Sequence, residues 1–138
     1  MKTYDKLQIS FEPSIATYDS ITELLGKNPS GIKDSNAPIA IPTTWSYEVT
    51  STELDSYFDF INTFLDILDA KYETLYKLGI NRKDITIWCF YEYDQQCNLE
   101  FDPVRMKRLG DNGITLCITC WDSGKKYQDS KIEKTDQA

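Results

Sequence analysis

The chain has no histidine, and histidine is the side chain that most readily acts as an acid, a base or a metal ligand near neutral pH. Nucleophilic catalysis by a Ser–His or Cys–His pair is excluded because the base is missing. A carboxylate pair could still perform acid–base chemistry, but the 22 acidic residues give no reason to choose one pair. A glycine-rich phosphate loop is also missing, since Gly26 and Gly31 follow no such spacing. We therefore predict that the protein is not an enzyme and has no catalytic residues.

Long apolar runs are absent as well. The longest comprise a few residues, far short of the ~20 needed to span a bilayer. Residues 1–6 lack the apolar segment of a secretory signal. The 15 basic residues are outnumbered by the acidic ones, which gives a formal net charge of −7. Such a charge repels nucleic acid and anionic lipid and favours basic protein partners. We therefore predict a cytoplasmic protein that binds neither nucleic acid nor membranes.

Four cysteines occur, at Cys89, Cys97, Cys117 and Cys120. The last two have the CxxC spacing of many redox and zinc sites, but they fall in a predicted strand, where positions three apart point to opposite faces. A zinc site would need two more ligands at suitable spacing, and no histidine can supply one. We therefore predict reduced cysteines that serve as small core residues, with no metal and no cofactor.

Hydrophobic periodicity predicts eight elements in the order β-α-β-α-β-β-α-β. The strongest is a helix that starts at the capping-box sequence in residues 50–53 and ends near Leu78, stopped by Gly79. A loop from Lys27 to Pro42 is long enough to be functional or partly mobile. The other predicted elements are strands at 4–12, 43–50, 85–93, 98–101 and 114–121, and helices at 18–25 and from 103 to about 110.

This order predicts an α+β fold. From the second strand onward it reads βαββαβ, which is the split-βαβ, ferredoxin-like unit, and the first strand and short helix would extend that sheet. Residues 1–122 are predicted to form a single domain. Residues 123–138 are polar and mixed in charge, and we predict a frayed tail there.

The predicted long helix carries an acidic ridge. At 100° per residue its acids fall within about 40° of each other and extend over about 27 Å. Few bases relieve them, and like charges one turn apart repel, so a basic partner would stabilise the arrangement. The alternative is a solvated face that keeps the protein soluble. The ridge consists of Asp55, Asp59, Asp66 and Glu73, flanked by Asn62 and Asp69.

A second candidate partner surface is the predicted hairpin after the central strand, at Tyr91, Glu92, Tyr93 and Asp94. Tyrosines beside acids at a turn are suited to a protein interface. The alternative is that the tyrosines cover the sheet edge and the acids are simply exposed.

Several segments together follow a pattern known from one family. They are residues 21–26 followed by Pro29, Trp45 opening a strand, the long helix, residues 99–103 through Leu109, and Gly113-Ile114 before the final strand. In these the chain resembles a bacterial family catalogued as domain of unknown function 4279, over about residues 6–122. Residues 31–34 are an approximate counterpart of that family's lysine-glycine-aspartate stretch. The resemblance implies a small stand-alone α+β protein with no assigned activity.

Two functions from different classes fit these features. The first is an immunity protein, a binding and inhibitory module that neutralises a basic toxin domain such as a nuclease through its acidic surface. The second is a ligand-binding or self-assembling domain without catalytic activity, with the long loop as a lid. The sequence does not define the oligomeric state.

Overall fold

The computed structural model describes residues 3–30, 40–51 and 58–124. Within these ranges the strands are β1 (Thr3–Ser10), β2 (Thr44–Ser51), β3 (Ile85–Tyr93) and β4 (Thr115–Asp122). The helices are α1 (Ile15–Leu25), α2 (Phe60–Leu68), α3 (Tyr72–Lys77) and α4 (Pro103–Asn112), with a 3-10 turn at Arg82–Asp84 before β3. The strands form one mixed sheet in the order β2-β1-β3-β4. β1 is antiparallel to both of its neighbours, whereas β3 and β4 are parallel.

Alternation along the strands gives the sheet two unlike faces. The inner face contains the buried strand side chains of the described residues, including Leu7, Trp45 and Ile87. They join buried residues of all four helices in one core. The outer face carries only half-buried or exposed side chains, among them Trp88 and Phe90.

Helices α1 and α4 both start at polar N-cap residues. The Ser14 hydroxyl accepts a hydrogen bond from the Thr17 amide at 3.0 Å, so α1 begins at Ile15 rather than at the predicted position 18. Asp102 caps α4 in the same way, with Pro103 in the first turn as predicted. α4 continues past the predicted end near position 110 and stops at Gly113, which has a φ of 68°.

The single helix predicted from position 50 to about Leu78 is wrong. Positions 50 and 51 belong to β2, and α2 begins only at Phe60. A break at residues 69–71 then separates α2 from α3, and at this break Ala70 has a φ of 61°. Positions 52–57 of the predicted helix lie outside the described residues.

The acids of this segment give a physical reason for the break. In a continuous helix Asp66, Asp69 and Glu73 would repel each other at spacings of three and four. The break instead places Glu73 in the first turn of α3, where the helix dipole favours a negative charge, and Lys77 in its last turn. It also directs Leu75 into the core, where its side chain is fully buried.

The predicted α+β class is confirmed, and helices packed on a mixed sheet are compatible with a ferredoxin-like type of fold. The strand predicted at 98–101 is absent, because a tight turn follows β3 instead of a hairpin. Phe101 packs edge-on against Phe60 of α2 at a centroid distance of 6.3 Å. β3 and β4, which α4 connects, are direct neighbours with no strand between them. β2 and β3, which α2 and α3 connect, are parallel to each other with β1 between them, so the described strands contain one split βαβ unit.

Candidate functional site

Asp59, the first acid of the predicted ridge that the structure describes, already binds other groups of the protein. Asp59 caps α2 through the Asn62 amide at 3.2 Å. Arg105 of α4 donates to both Asp59 carboxylate oxygens, at 3.0 and 2.9 Å, and also binds Asp102 at 2.6 Å. The hydrogen bonds from Arg105 hold the pKa of Asp59 and of Asp102 below the usual aspartate range. Asp59 is therefore a link between α2 and α4.

A second arginine of α4, Arg108, binds side chains on the next turn of the same face of α2. Arg108 Nη2 lies 2.6 Å from Asp66 Oδ1, and Arg108 Nη1 donates to Asn62 Oδ1 at 2.8 Å. The α2 face from Asp59 to Asp66 is thus an internal contact with α4, although the Asp66 side chain remains largely exposed. Its negative charge is balanced by the two arginines.

The rest of the ridge is divided by the helix break. Asp69 is exposed at the end of α2, and Glu73 lies in α3 with its carboxylate 3.8 Å from Lys77 Nζ. Asp55 lies outside the described residues. The predicted continuous ridge is therefore wrong as a geometric feature, because the helix that would carry it is interrupted and α4 neutralises part of it.

The predicted hairpin surface is divided between the two sides of the sheet. Tyr91 and Tyr93 belong to the inner-face register of β3, whereas Glu92 belongs to the outer face beside Trp121. Asp94 starts a tight turn, in which the Gln96 amide donates to the Asp94 carbonyl at 2.8 Å. These four residues do not form one surface, and Glu92 belongs to a different site.

That site is a shallow cavity of about 400 Å³ at one end of the outer face. Every strand contributes to it, because the register aligns Tyr4 with position 50 of β2 and Glu92 with Trp121 of β4. Trp121 is 41% exposed. The residues that line the cavity are Tyr4, Glu48, Thr50, Glu92 and Trp121.

The two carboxylates of this cavity are available to a partner. Within the described ranges neither Glu48 nor Glu92 forms an ion pair. Among the described residues, the neighbouring cation Lys6 instead lies over the rings of Trp88 and Phe90, 5.6 and 5.4 Å from their centroids. We call the combination of the cavity's two glutamates with its exposed tryptophan the outer-face site.

A row of stacked aromatic rings lies beside the outer-face site on the same face of the sheet. Tyr4 stacks on Phe90 with centroids 4.3 Å apart, and Phe90 stacks on Trp88 at 5.7 Å. These contacts fix the aromatic side chains across two strands, so this row of rings is preorganised rather than adaptable.

The sequence reasoning missed Glu48, Tyr4 and Trp121 as site residues. The alternation of residues 43–50 places Glu48 on the polar side of β2, but alternation does not show that β1 lies between β2 and β3. Only this strand order brings Tyr4 between position 50 and Phe90. A signal was present in the aromatic residues Trp88 and Phe90, which share the second face of β3.

The described residues carry no further site of an established chemical class. No three Cys, Asp or Glu side chains in residues 3–30, 40–51 and 58–124 are placed to hold a metal ion together. None of the helices in these ranges is long and apolar enough to cross a membrane. Comparison with known proteins adds no identification, because no family model, curated protein or solved structure matches the chain.

Proposed function

We propose that the protein is an immunity protein, a cytoplasmic, non-catalytic module that binds and inhibits a basic toxin domain such as a nuclease. The observation that carries this proposal is the outer-face site, where Glu48 and Glu92 have no ion-pair partner among the described residues and lie beside an exposed tryptophan. A lysine or arginine of the partner would donate a charge-assisted hydrogen bond to a carboxylate and would form a cation–π contact with Trp121. The net charge of −7 would add electrostatic steering over a longer range.

The structure changes which acids we assign to the partner. Asp59, Asn62 and Asp66 bind Arg105 and Arg108 and would have to leave them to contact a partner. Asp69, Glu73 and Asp94 contribute to the long-range field in this proposal. We assign the direct contacts with the partner to the outer-face site. Of its residues, Glu92 was already predicted from the sequence to bind a partner.

The first experiment tests whether the partner exists. The protein is co-expressed with the product of the adjacent open reading frame, followed by co-purification and a growth-rescue assay. The proposal expects a stable complex and restored growth. Absence of both would contradict the immunity function.

The second experiment tests the surface with a matched pair of variants. Glu48→Gln with Glu92→Gln alters the outer-face site, whereas Asp19→Asn with Glu23→Gln alters two exposed acids of α1. Both double variants remove the same amount of charge, so they weaken long-range steering similarly. We expect only the outer-face variant to speed dissociation markedly, by roughly tenfold for the loss of direct contacts, in surface plasmon resonance. Equal dissociation rates for both variants would show that the partner binds elsewhere.

The edge of the sheet favours self-assembly as a second candidate function. β4 carries no charge before Asp122, and its Ile118 is 42% exposed. In the described residues no strand pairs with its free edge. Uncharged, exposed edge strands readily pair with another chain. Sedimentation velocity distinguishes the two functions, since self-assembly predicts a dimer that Ile118→Lys dissociates and the immunity function does not require one.

A further inference from the structure

Two cysteines from different strands lie at the same end of the inner sheet face. Cys89 of β3 is aligned with Ile118 of β4, and two residues further along Tyr91 is aligned with Cys120. Cys89 and Cys120 therefore face the same side. Cys117 is aligned with Trp88 and faces the outer side, so the CxxC pair is divided between the two faces, as its position in a strand predicted.

A third cysteine is brought to this place by the turn after β3. Asp94 and Gln96 form an isolated bridge, and Gln95 adopts a φ of 68°, so the chain reverses at once. Cys97 follows this reversal, and its thiol forms a hydrogen bond with Cys120. The two residues are 23 positions apart in sequence, and the sequence pattern gave no sign of their contact.

Exposure distinguishes this pair from the other two thiols. Cys97 and Cys120 are both exposed, so a small oxidant reaches either sulfur from solvent. Cys89 is only 4% exposed, and burial beside Asp5 raises the pKa of its thiol to about 12, which keeps it protonated. Cys117 has no thiol neighbour on its own face among the described residues.

We propose that Cys97 and Cys120 are a redox modification site that hydrogen peroxide converts into an intramolecular disulfide. The Cys120 thiolate attacks one peroxide oxygen, the O–O bond breaks, and a sulfenic acid forms on Cys120; the hydroxide that leaves takes up the proton lost by the Cys120 thiol and becomes water. The Cys97 sulfur then attacks the Cys120 sulfur, the S–O bond breaks, and a second water leaves with the thiol proton. Two thiols are oxidised to one disulfide while one peroxide is reduced to two waters.

Partial desolvation and the neighbouring Cys120 raise the pKa of the Cys97 thiol, which disfavours its thiolate. We assign the first attack to Cys120 and the resolving step to Cys97. The resulting disulfide would tie the turn at residues 94–97 to β4. It goes beyond the binding function, since it needs no partner.

The experiment uses the purified full-length chain, fully reduced and then treated with hydrogen peroxide. Non-reducing peptide mapping by mass spectrometry should find one internal Cys97–Cys120 link with the loss of two hydrogens. Cys97→Ser and Cys120→Ser should abolish it, and Cys117→Ser, the matched control on the same strand, should retain it. In Cys97→Ser, dimedone should label Cys120 as its sulfenic acid.

Circular dichroism of each variant confirms that it is folded before oxidation. A repeat in urea shows whether the native fold selects the pair, because unfolded chains should form mixed links. Links between chains, a link to Cys89, or unchanged alkylation of both thiols after peroxide would each overturn the proposal. Dimedone labelling of Cys97 instead of Cys120 would overturn the assigned order.

Discussion

Asp5 is a carboxylic acid in the middle of an apolar sheet face. It precedes Leu7 and Ile9 on the inner side of β1 and is only 4% exposed. Burial raises its pKa from 3.8 to about 6, and a hydrogen bond with the Cys89 thiol offsets part of that rise. The folded protein therefore holds a proton on Asp5 at pH values where the unfolded chain has released it.

This linkage predicts a stability change between about pH 4 and about pH 7. Because the folded pKa is raised, the contribution of Asp5 is fully present below 3.8 and is lost as the pH rises through about 6. Two pKa units correspond to about 3 kcal/mol. In the Asp5→Asn variant the side chain at this position cannot ionise. The free energy of unfolding of the variant minus that of the wild type should therefore increase by up to about 3 kcal/mol between about pH 4 and about pH 7. Urea denaturation at several pH values measures it, and a difference that stays constant with pH would contradict the raised pKa.

Arg105 joins α2 to α4 through ion pairs. It binds the N-cap aspartates of both helices, Asp59 and Asp102. Arg105→Gln should therefore lower the melting temperature more than Lys107→Gln, which removes an exposed i, i+4 pair with Asp111 on the same helix.

The pH dependence of this loss has a defined sign. Because the pKa of each of the two aspartates is depressed in the folded state, their contribution is present at neutral pH and is lost as the pH falls below the ordinary value of 3.8. The effect of Arg105→Gln should shrink in acid. Equal effects of the two variants at neutral pH would show that the bridge does not stabilise the fold.

At the scale of elements, the break between α2 and α3 gives a prediction whose sign is diagnostic. Ala70 has a φ of 61°, where a side chain costs about 1–2 kcal/mol per residue. Ala70→Gly should therefore raise the free energy of unfolding by roughly 1 kcal/mol. In a continuous helix the same change would lower it by about 1 kcal/mol. The matched control is Thr74→Gly inside α3, which should be destabilising. Chemical denaturation decides, and destabilisation by Ala70→Gly would restore the single helix.

Local patterns predicted the elements whose cause is local. Alternation predicted all four strands to within two residues, and a polar cap followed by proline predicted the start of α4. The end of α1 at Gly26, with a φ of 65°, also follows from one residue type. The apolar stripe of the predicted long helix was real, but periodicity alone could not show that the chain turns at Ala70.

The candidate site was less predictable because it depends on contacts between distant segments. Arg105 and Asp59 are 46 positions apart, and no local pattern connects them. The basic pair at Arg105 and Arg108 was the available signal, since its spacing matches the acids of one helix face. Glu48 and Trp121 become neighbours only through the strand order. The additional strand predicted at 98–101 implied a different order.

At the scale of the whole molecule, negative charge is divided between two environments. On the helix side, Asp59 and Asp66 lie against arginines, so the local field is weak. On the outer face, the neighbouring lysine that the structure describes, Lys6, is directed over aromatic rings rather than toward the two glutamates. The net charge of −7 therefore understates how unevenly the surface would attract a cation.

Tryptophan fluorescence quenching tests this distribution without any partner. Because Trp45 is fully buried and Trp88 is only half-buried, an ionic quencher reports chiefly on the exposed Trp121. Because Glu48 and Glu92 line its cavity, caesium should quench more efficiently than iodide at low ionic strength, and added salt should reduce the difference. Glu48→Gln with Glu92→Gln should largely abolish the preference, whereas the equally charged Asp19→Asn with Glu23→Gln should retain most of it. The same preference in both variants would mean that the net charge alone attracts cations, and that the outer face offers a basic partner no local advantage.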